Sequence, residues 1–134
     1  MKKLLCSLVC LSLGASVLFA QDPQYKDLMT RAARGEADAA YQLHLLAKKD
    51  KLYKNKSDNR QAAERYFLRA VELRHPTARY VFSAEALATR SANSAQGTAY
   101  AFLRDLEWTR PGDPLTPQQF YDVHRLLGLC YELG

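Results

Sequence analysis

A pattern of paired amphipathic helices recurs along this chain and is the feature that most constrains its fold. A first-helix motif, with alanine four residues before an apolar side chain, occurs at 39–43 and again at 78–82. A second-helix motif, with alanine three residues before an aromatic side chain, follows at Ala63 and at Ala99. A third first-helix motif closes the chain at 127–134. Internal repeats at this spacing predict stacked helical hairpins, each of which buries its apolar face against its neighbours.

Residues that start and stop helices support this division. Gly35 ends a first short helix, and Asp38 is placed to cap the second. Asp58, with Gln61 three residues later, predicts a capping box at the start of the next helix. Pro76 suits the first turn of a further helix, because the first turn does not need its missing N–H.

The strongest helix start lies near the C-terminus. Thr116, Pro117 and Gln119 together supply an N-cap, a first-turn proline and a capping-box partner. The small polar residues of 91–97 predict a linker before the helix that contains Ala99. Because no stretch has the alternation or the β-branched density of a strand, the chain is predicted to be all-α.

The first twenty residues have the layout of a secretory signal. Lys2 and Lys3 precede an apolar stretch over 4–19, and Ala20 supplies a small residue before a polar segment. This layout predicts export and cleavage after residue 20. An uncleaved anchor is the alternative, although the apolar run is shorter than the ~20 residues that span a bilayer. We therefore expect a mature chain of residues 21–134 that is periplasmic or secreted.

Charge and cysteine content describe the mature chain as one modestly basic domain. The whole sequence has a net charge of +5, and loss of the two signal lysines leaves 17 basic and 14 acidic residues, a net charge of +3. A chain of this length supports a single domain. Cys130 is the one cysteine left after cleavage, so we expect a buried thiol, with an intermolecular disulfide as the alternative. One cysteine and three scattered histidines predict no metal site.

The order of these motifs resembles that of the Sel-one-like repeat family, which is related to the tetratricopeptide repeats. The family's second helix reads Ala-x-x-Trp/Tyr-Tyr/Phe-x-x-Ala-Ala-x-x-Gly-x-x-x-Ala, and its first helix reads Ala-x-x-x-Leu-Gly-x-x-Tyr-x-x-Gly. The residues that carry the resemblance are Ala63, Tyr66, Phe67, Ala70, His75 and Ala78, the segment 32–39, and Leu127, Gly128, Tyr131 and Gly134. The resemblance implies a right-handed α-solenoid of stacked helix-turn-helix repeats. It implies a partial repeat at 24–35, repeats at about 36–75 and 76–112, and a final first helix at 117–133.

Two departures from the family pattern affect the prediction. His44 and Ser83 stand where the family has the glycine at which paired helices pack, so the first two hairpins are expected to be more open. The sequence stops at Gly134, where the family would begin another loop and second helix. The last helix is therefore expected to cap the stack, to dock a partner or to belong to a truncated repeat.

The sequence contains none of the common catalytic fingerprints. Ser-x-x-Lys, Gly-x-Ser-x-Gly, His-Glu-x-x-His and phosphate-loop patterns are all missing. His44 is interpreted as filling a packing position, and His75 as belonging to a turn before a proline. His124 has charged neighbours in sequence, but successive helix positions point to different faces. We therefore predict no enzymatic activity, no cofactor and no small-molecule substrate, and the resemblance likewise implies no catalytic residues.

A dense group of basic residues follows the first full helix of the pattern, and we call this group the basic loop. Its members lie within 48–60 and are Lys48, Lys49, Lys51, Lys54, Lys56 and Arg60. Asp50 and Asp58 are the acidic residues in that segment. Two interpretations stay open: a solvated loop between helices, or a surface for anionic lipid, lipopolysaccharide or an acidic protein. The predicted export argues against a nucleic-acid partner.

Four residues of the first helices are placed to bind a partner. Tyr41, Gln42, Arg79 and Tyr80 are predicted to line a concave groove, since tyrosine and arginine are the usual anchors of protein interfaces. For Tyr41 and Tyr80, packing inside the fold is an equally open interpretation. The sequence therefore predicts an exported, non-enzymatic helical-repeat scaffold that mediates protein–protein interaction or complex assembly in the bacterial envelope. The alternative is an envelope-surface module that binds anionic lipid or lipopolysaccharide through the basic loop.

Overall fold

The structure is a computed structural model that describes residues 23–90, 93–108 and 115–133. Six α-helices lie in these ranges. They are α1 (Pro23–Ala33), α2 (Ala37–Lys48), α3 (Lys56–Glu72), α4 (Pro76–Ala88), α5 (Asn93–Glu107) and α6 (Pro117–Leu133). No strand occurs in these ranges, so the all-α prediction is confirmed for them. The predicted signal at 1–20 lies outside the described residues. Within the described ranges, no helix combines the length and the apolar character needed to cross a membrane.

The chain divides within α3 into two compact units, one ending at Arg69 and the other beginning at Ala70. In the first unit α1 packs against α2. Its buried apolar residues include Leu28, Ala32, Ala39, Ala40, Leu43, Ala47, Leu52 and Ala62. In the second unit α5 packs against both α4 and α6. The core of that unit consists of Ala86, Leu87, Ala99, Leu103, Leu106, Leu115, Val123, Leu126 and Leu127.

The predicted helix starts near Pro76 and Thr116 are confirmed. The Thr116 N–H donates to Gln119 Oε1 at 3.0 Å, and the Gln119 N–H donates to Thr116 Oγ1 at 3.2 Å, which is the reciprocal pair of a capping box. Pro76 occupies the first turn of α4, and the buried His75 caps that helix by accepting from the Ala78 N–H at 3.2 Å. The structural interpretation of His75 is therefore also confirmed.

Other predicted boundaries were wrong by a few residues. α2 begins at Ala37, with Glu36 as N-cap, so Asp38 lies inside the first turn. α3 begins at Lys56, and Asn55 Oδ1 accepts from the Ser57 N–H at 3.0 Å, so Asn55 rather than Asp58 caps this helix. α5 begins at Asn93, so residues 93–97 of the predicted linker are helical, while 91 and 92 lie outside the described residues.

The α1–α2 and α3–α4 junctions have the same backbone geometry. Gly35 and Arg74 follow the ends of α1 and α3 and adopt left-handed conformations, with φ of 98° and 65°. The same two hydrogen bonds close each turn. After α1, the Gly35 N–H donates to Ala32 O and the Glu36 N–H to Arg31 O. After α3, the Arg74 N–H donates to Val71 O and the His75 N–H to Ala70 O. This is the Schellman arrangement for ending a helix. Four residues later each junction places a fully buried alanine, Ala39 or Ala78, in the next helix.

Candidate interaction surfaces

His44 and Ser83, which stand where the Sel-one-like motif has glycine, each contact the second helix of their hairpin. In the first unit His44 Nδ1 lies 2.8 Å from the Ala63 carbonyl oxygen, a hydrogen bond that requires the proton on Nδ1. In the second unit the fully buried Ser83 hydroxyl lies 3.3 Å from the Ala99 carbonyl oxygen. Ala63 and Ala99 occupy the same place in the second-helix motif. Two unlike side chains therefore make the same contact, and each one links the two helices of its hairpin.

The His44 ring also packs between two aromatic neighbours. Its centroid lies 5.7 Å from that of Tyr41 and 5.1 Å from that of Phe67. These contacts match the prediction that His44 fills a packing position. In α6 the corresponding motif position is Gly128, where an added Cβ would meet no other heavy atom within 4 Å beyond its own helix backbone.

Arg79, which was predicted to line the groove, makes several contacts with other residues of the second unit. Its Nε donates to the Val71 carbonyl oxygen at 3.1 Å, and its guanidinium carbon lies 4.2 Å from the centre of the Phe102 ring. Its Nη1 lies 3.6 Å from Asp105 Oδ2, and its side chain is 13% exposed. Burial lowers the pKa of Arg79, with a further contribution from the nearby charge of Arg74. These contacts use most of the planar donor group that a partner would need.

Tyr80 belongs to a second polar cluster in the same unit. Its hydroxyl donates to Asp122 Oδ2 at 2.7 Å, and Asp122 Oδ1 accepts from Arg125 Nε at 2.6 Å. Burial and the hydrogen bond to Asp122 raise the pKa of Tyr80 to about 12. The hydrogen bonds from Arg125 and Tyr80 lower the pKa of Asp122. The cluster joins α4 to α6, which gives Tyr80 a structural role beside its predicted one.

Tyr41 and Gln42 lie in α2, in the first unit. Tyr41 is half-buried, and burial raises the pKa of its hydroxyl. Gln42 is exposed. The groove formed by Tyr41, Gln42, Arg79 and Tyr80 stays a prediction.

Three large aromatic side chains of the second unit lie at the surface, and none of them was among the residues predicted to bind a partner. Trp108, Tyr121 and Tyr131 are 82%, 74% and 66% exposed. Tyr131 packs edge-on against Tyr100, with the ring centroids 6.0 Å apart, and Arg104 Nη1 donates to the Tyr100 hydroxyl at 3.3 Å. We call Trp108, Tyr121 and Tyr131 the exposed aromatic set.

The periodicity of α6 could have identified part of this set. Tyr121 lies two positions before the fully buried Val123, and therefore on the opposite side of the helix. Tyr131 lies four positions after the buried Leu127, where periodicity predicts burial, and its exposure follows from its place in the last turn of α6. Of the apolar residues near the end of the chain, Leu126 and Leu127 are core residues and Leu129 is exposed.

Cys130 is half-buried on the same helix. Burial raises the pKa of its thiol, which lowers the fraction of reactive thiolate at neutral pH. This environment favours the interpretation of an inert thiol.

The basic loop spans a helix end, a short connection and a helix start. Lys48 is the last residue of α2, while Lys56 and Arg60 lie in the first turns of α3. All six basic side chains are exposed. Among the described residues, none of them takes part in an ion pair.

The backbone of the basic loop is fixed at both ends. After α2, Asp50 adopts a left-handed conformation with φ of 56°. The Asp50 N–H donates to Ala47 O and the Lys51 N–H to Leu46 O, both at 3.0 Å, which is again the Schellman arrangement. The side chain of Leu52 is then fully buried and anchors the middle of the connection.

Asn59 holds the second half of the loop. Its side chain is buried; Oδ1 accepts from the Tyr53 N–H at 2.9 Å, and Nδ2 donates to the Tyr53 carbonyl oxygen at 2.8 Å. Nδ2 also lies 3.1 Å from the Asn55 carbonyl oxygen. One amide therefore satisfies a donor and two acceptors of a connection that has no regular structure. This role has no local sequence signal, because the partners of the amide lie in an irregular connection.

A metal centre finds no support in the described part of the chain. No group of three or more histidine, cysteine, aspartate or glutamate side chains is placed there to hold a metal ion.

Comparison with protein-family models, with curated proteins and with solved structures finds no match to this chain. The Sel-one-like resemblance therefore rests on the motifs themselves.

Proposed function

We propose that this protein is an exported helical-repeat scaffold that binds another protein in the bacterial envelope. The observation that carries the proposal is the exposed aromatic set. Tyrosine and tryptophan dominate the energetics of protein interfaces, because they bury a large area at low cost in side-chain entropy. All three side chains are exposed on the second unit, so a partner could bury their aromatic surface on binding.

We also propose that the architecture is a right-handed α-solenoid of Sel-one-like repeats. Two internal correspondences support it. His44 and Ser83 reach the carbonyl oxygen of the same motif position in two different hairpins. Gly35 and Arg74 end two different helices with the same turn, and a fully buried alanine, Ala39 or Ala78, follows each of them four residues later. Repeated local geometry of this kind is expected where one structural unit has been duplicated.

The test of protein binding is crosslinked capture on the mature chain, residues 21–134, from an envelope extract of the native cells, read by mass spectrometry. The test variant is Tyr121→Ser with Tyr131→Ser. The matched control is Leu45→Ser with Leu68→Ser, which removes two exposed apolar side chains from the other unit. Far-ultraviolet circular dichroism checks that helicity is kept in both variants.

We expect one protein to be enriched near one-to-one, to be lost with the tyrosine variant and to be retained with the control. Loss with Gln42→Ala instead would move the binding surface to the predicted groove. Recovery of the chain alone would refute the protein-binding proposal.

Export has its own test, N-terminal sequencing of the protein recovered from its native cells. A chain that begins at Gln21 supports cleavage after Ala20. A chain that keeps residues 1–20 refutes the predicted processing.

A further inference from the structure

We infer that the basic loop is a preorganised docking surface for an anionic lipid bilayer, a role separate from the proposed protein binding. Within thirteen residues it presents six exposed cations that have no ionic partner among the described residues. The acidic residues Asp50 and Asp58 leave an excess of four positive charges in the segment. An excess of this density attracts an anionic surface within about a Debye length.

The structure holds this charge on a fixed backbone. The turn at Asp50, the buried side chain of Leu52 and the three hydrogen bonds of Asn59 restrain the connection from α2 to α3. A flexible lysine-rich segment would lose conformational entropy when it settles on a surface. A connection that is already ordered has lost that entropy on folding, so more of the electrostatic attraction appears as affinity.

The kind of cation favours a bilayer over the other anionic partners. Five of the six residues are lysines, which act as strongly hydrated point charges on flexible stems. Specific recognition of a single phosphate or carboxylate favours the planar fork of arginine, and Arg60 is the one arginine of the basic loop. Point charges that spread over one connection match the diffuse field of a charged lipid surface.

The experiment measures co-sedimentation of the processed chain, residues 21–134, which contains all six helices and lacks the apolar signal. The probes are vesicles of phosphatidylcholine with and without phosphatidylglycerol. The test variant is Lys51→Glu, Lys54→Glu and Lys56→Glu. The matched control reverses three exposed cations outside the basic loop, Lys26, Arg34 and Arg90, so both variants have the same net charge.

We expect binding that requires phosphatidylglycerol and weakens steeply as the salt rises from about 0.01 M to about 1 M. The test variant should bind at least about a hundredfold more weakly than the parent chain, from the typical contribution of a lysine near an anionic membrane. The control should keep most of the affinity. Circular dichroism identifies any loss that comes from unfolding, and a Lys51→Gln, Lys54→Gln, Lys56→Gln variant then replaces the reversal.

Three results would overturn the inference. One is equal binding to both kinds of vesicle, and another is equal loss in the test and control variants. The third is binding of poly-glutamate through the basic loop with no binding to anionic vesicles. That outcome would assign the surface to an acidic polypeptide instead of a lipid bilayer.

Discussion

Replacement of Asn59 by alanine should destabilise the connection between α2 and α3. The substitution removes three hydrogen bonds, those with the Tyr53 N–H, the Tyr53 carbonyl and the Asn55 carbonyl. At about 1 kcal/mol each, these bonds contribute about 3 kcal/mol to the free energy of unfolding. Because alanine has a higher helix propensity than asparagine, the substitution also adds about 0.5 kcal/mol to the free energy of unfolding. Water can reach the half-buried backbone groups of Tyr53 and recover part of the rest, so we expect a net loss of about 2 kcal/mol.

Urea unfolding followed by circular dichroism measures this loss, and amide hydrogen exchange locates it. In the parent chain the Tyr53 amide should be protected, because its N–H is bonded to a buried side chain. In the Asn59→Ala variant this amide should exchange much faster. Gln61→Ala is the matched control, since Gln61 is an exposed amide side chain two positions further along the same helix. It should change stability by less than about 0.5 kcal/mol.

A variant Asn59→Ala that unfolds within about 0.5 kcal/mol of the parent, with unchanged exchange at Tyr53, would refute this reasoning. The Gln61→Ala control also bears on the sequence-based expectation at this helix. A large loss there would contradict the assignment of the α3 cap to Asn55 rather than to Asp58 with Gln61.

Two further substitutions test local features of the fold. Arg74→Gly should raise the free energy of unfolding by about 0.5–1 kcal/mol in urea, because a left-handed φ of 65° is unfavourable for arginine and suits glycine; Gly35→Ala, at a φ of 98°, should lower it, and the opposite signs would contradict this account. Tyr80→Phe should cost roughly 1 kcal/mol at neutral pH, since it removes the hydroxyl bonded to Asp122. The folded protein lowers the pKa of Asp122, so this carboxylate stabilises the fold above its unfolded pKa of about 4, and the stabilisation disappears as the pH falls through the folded value. Tyr80→Phe weakens that dependence, so its stability should fall less than that of the parent between pH 5 and pH 2, and parallel pH profiles would show that Tyr80 does not contribute.

The parts of the fold that depend on residues close in sequence could be predicted. The capping box at Thr116 and Gln119 forms as expected, because both partners lie within one turn of the helix. The end of α1 before Gly35 also depends on one residue's preference for a positive φ. Arg74 takes the same conformation without that preference, so no local signal marks it.

The candidate surfaces were harder to predict, because they depend on contacts that are distant in sequence. Arg79 was assigned to a groove from its residue type, yet Val71, Phe102 and Asp105 surround its guanidinium group. The buried amide of Asn59 escaped notice because its partners lie in an irregular connection. The exposure of the six cations could be read from the sequence, whereas the fixed backbone that presents them could not.

The contacts of His44, Ser83 and Asn59 have one feature in common that bears on how such a chain can vary. Each places a polar side chain on a backbone carbonyl oxygen of another segment. A carbonyl group is present at every residue whatever the side chain, so the accepting position needs no matched substitution. If the hairpins are repeats, as proposed, histidine in one and serine in the next can stand at the packing-glycine position and reach the same carbonyl oxygen. The contact between the two helices would then be repeated although the residue that makes it differs. In α6 the same motif position is Gly128, which has no side chain to make this contact and around which an added Cβ would meet no neighbouring atom within 4 Å.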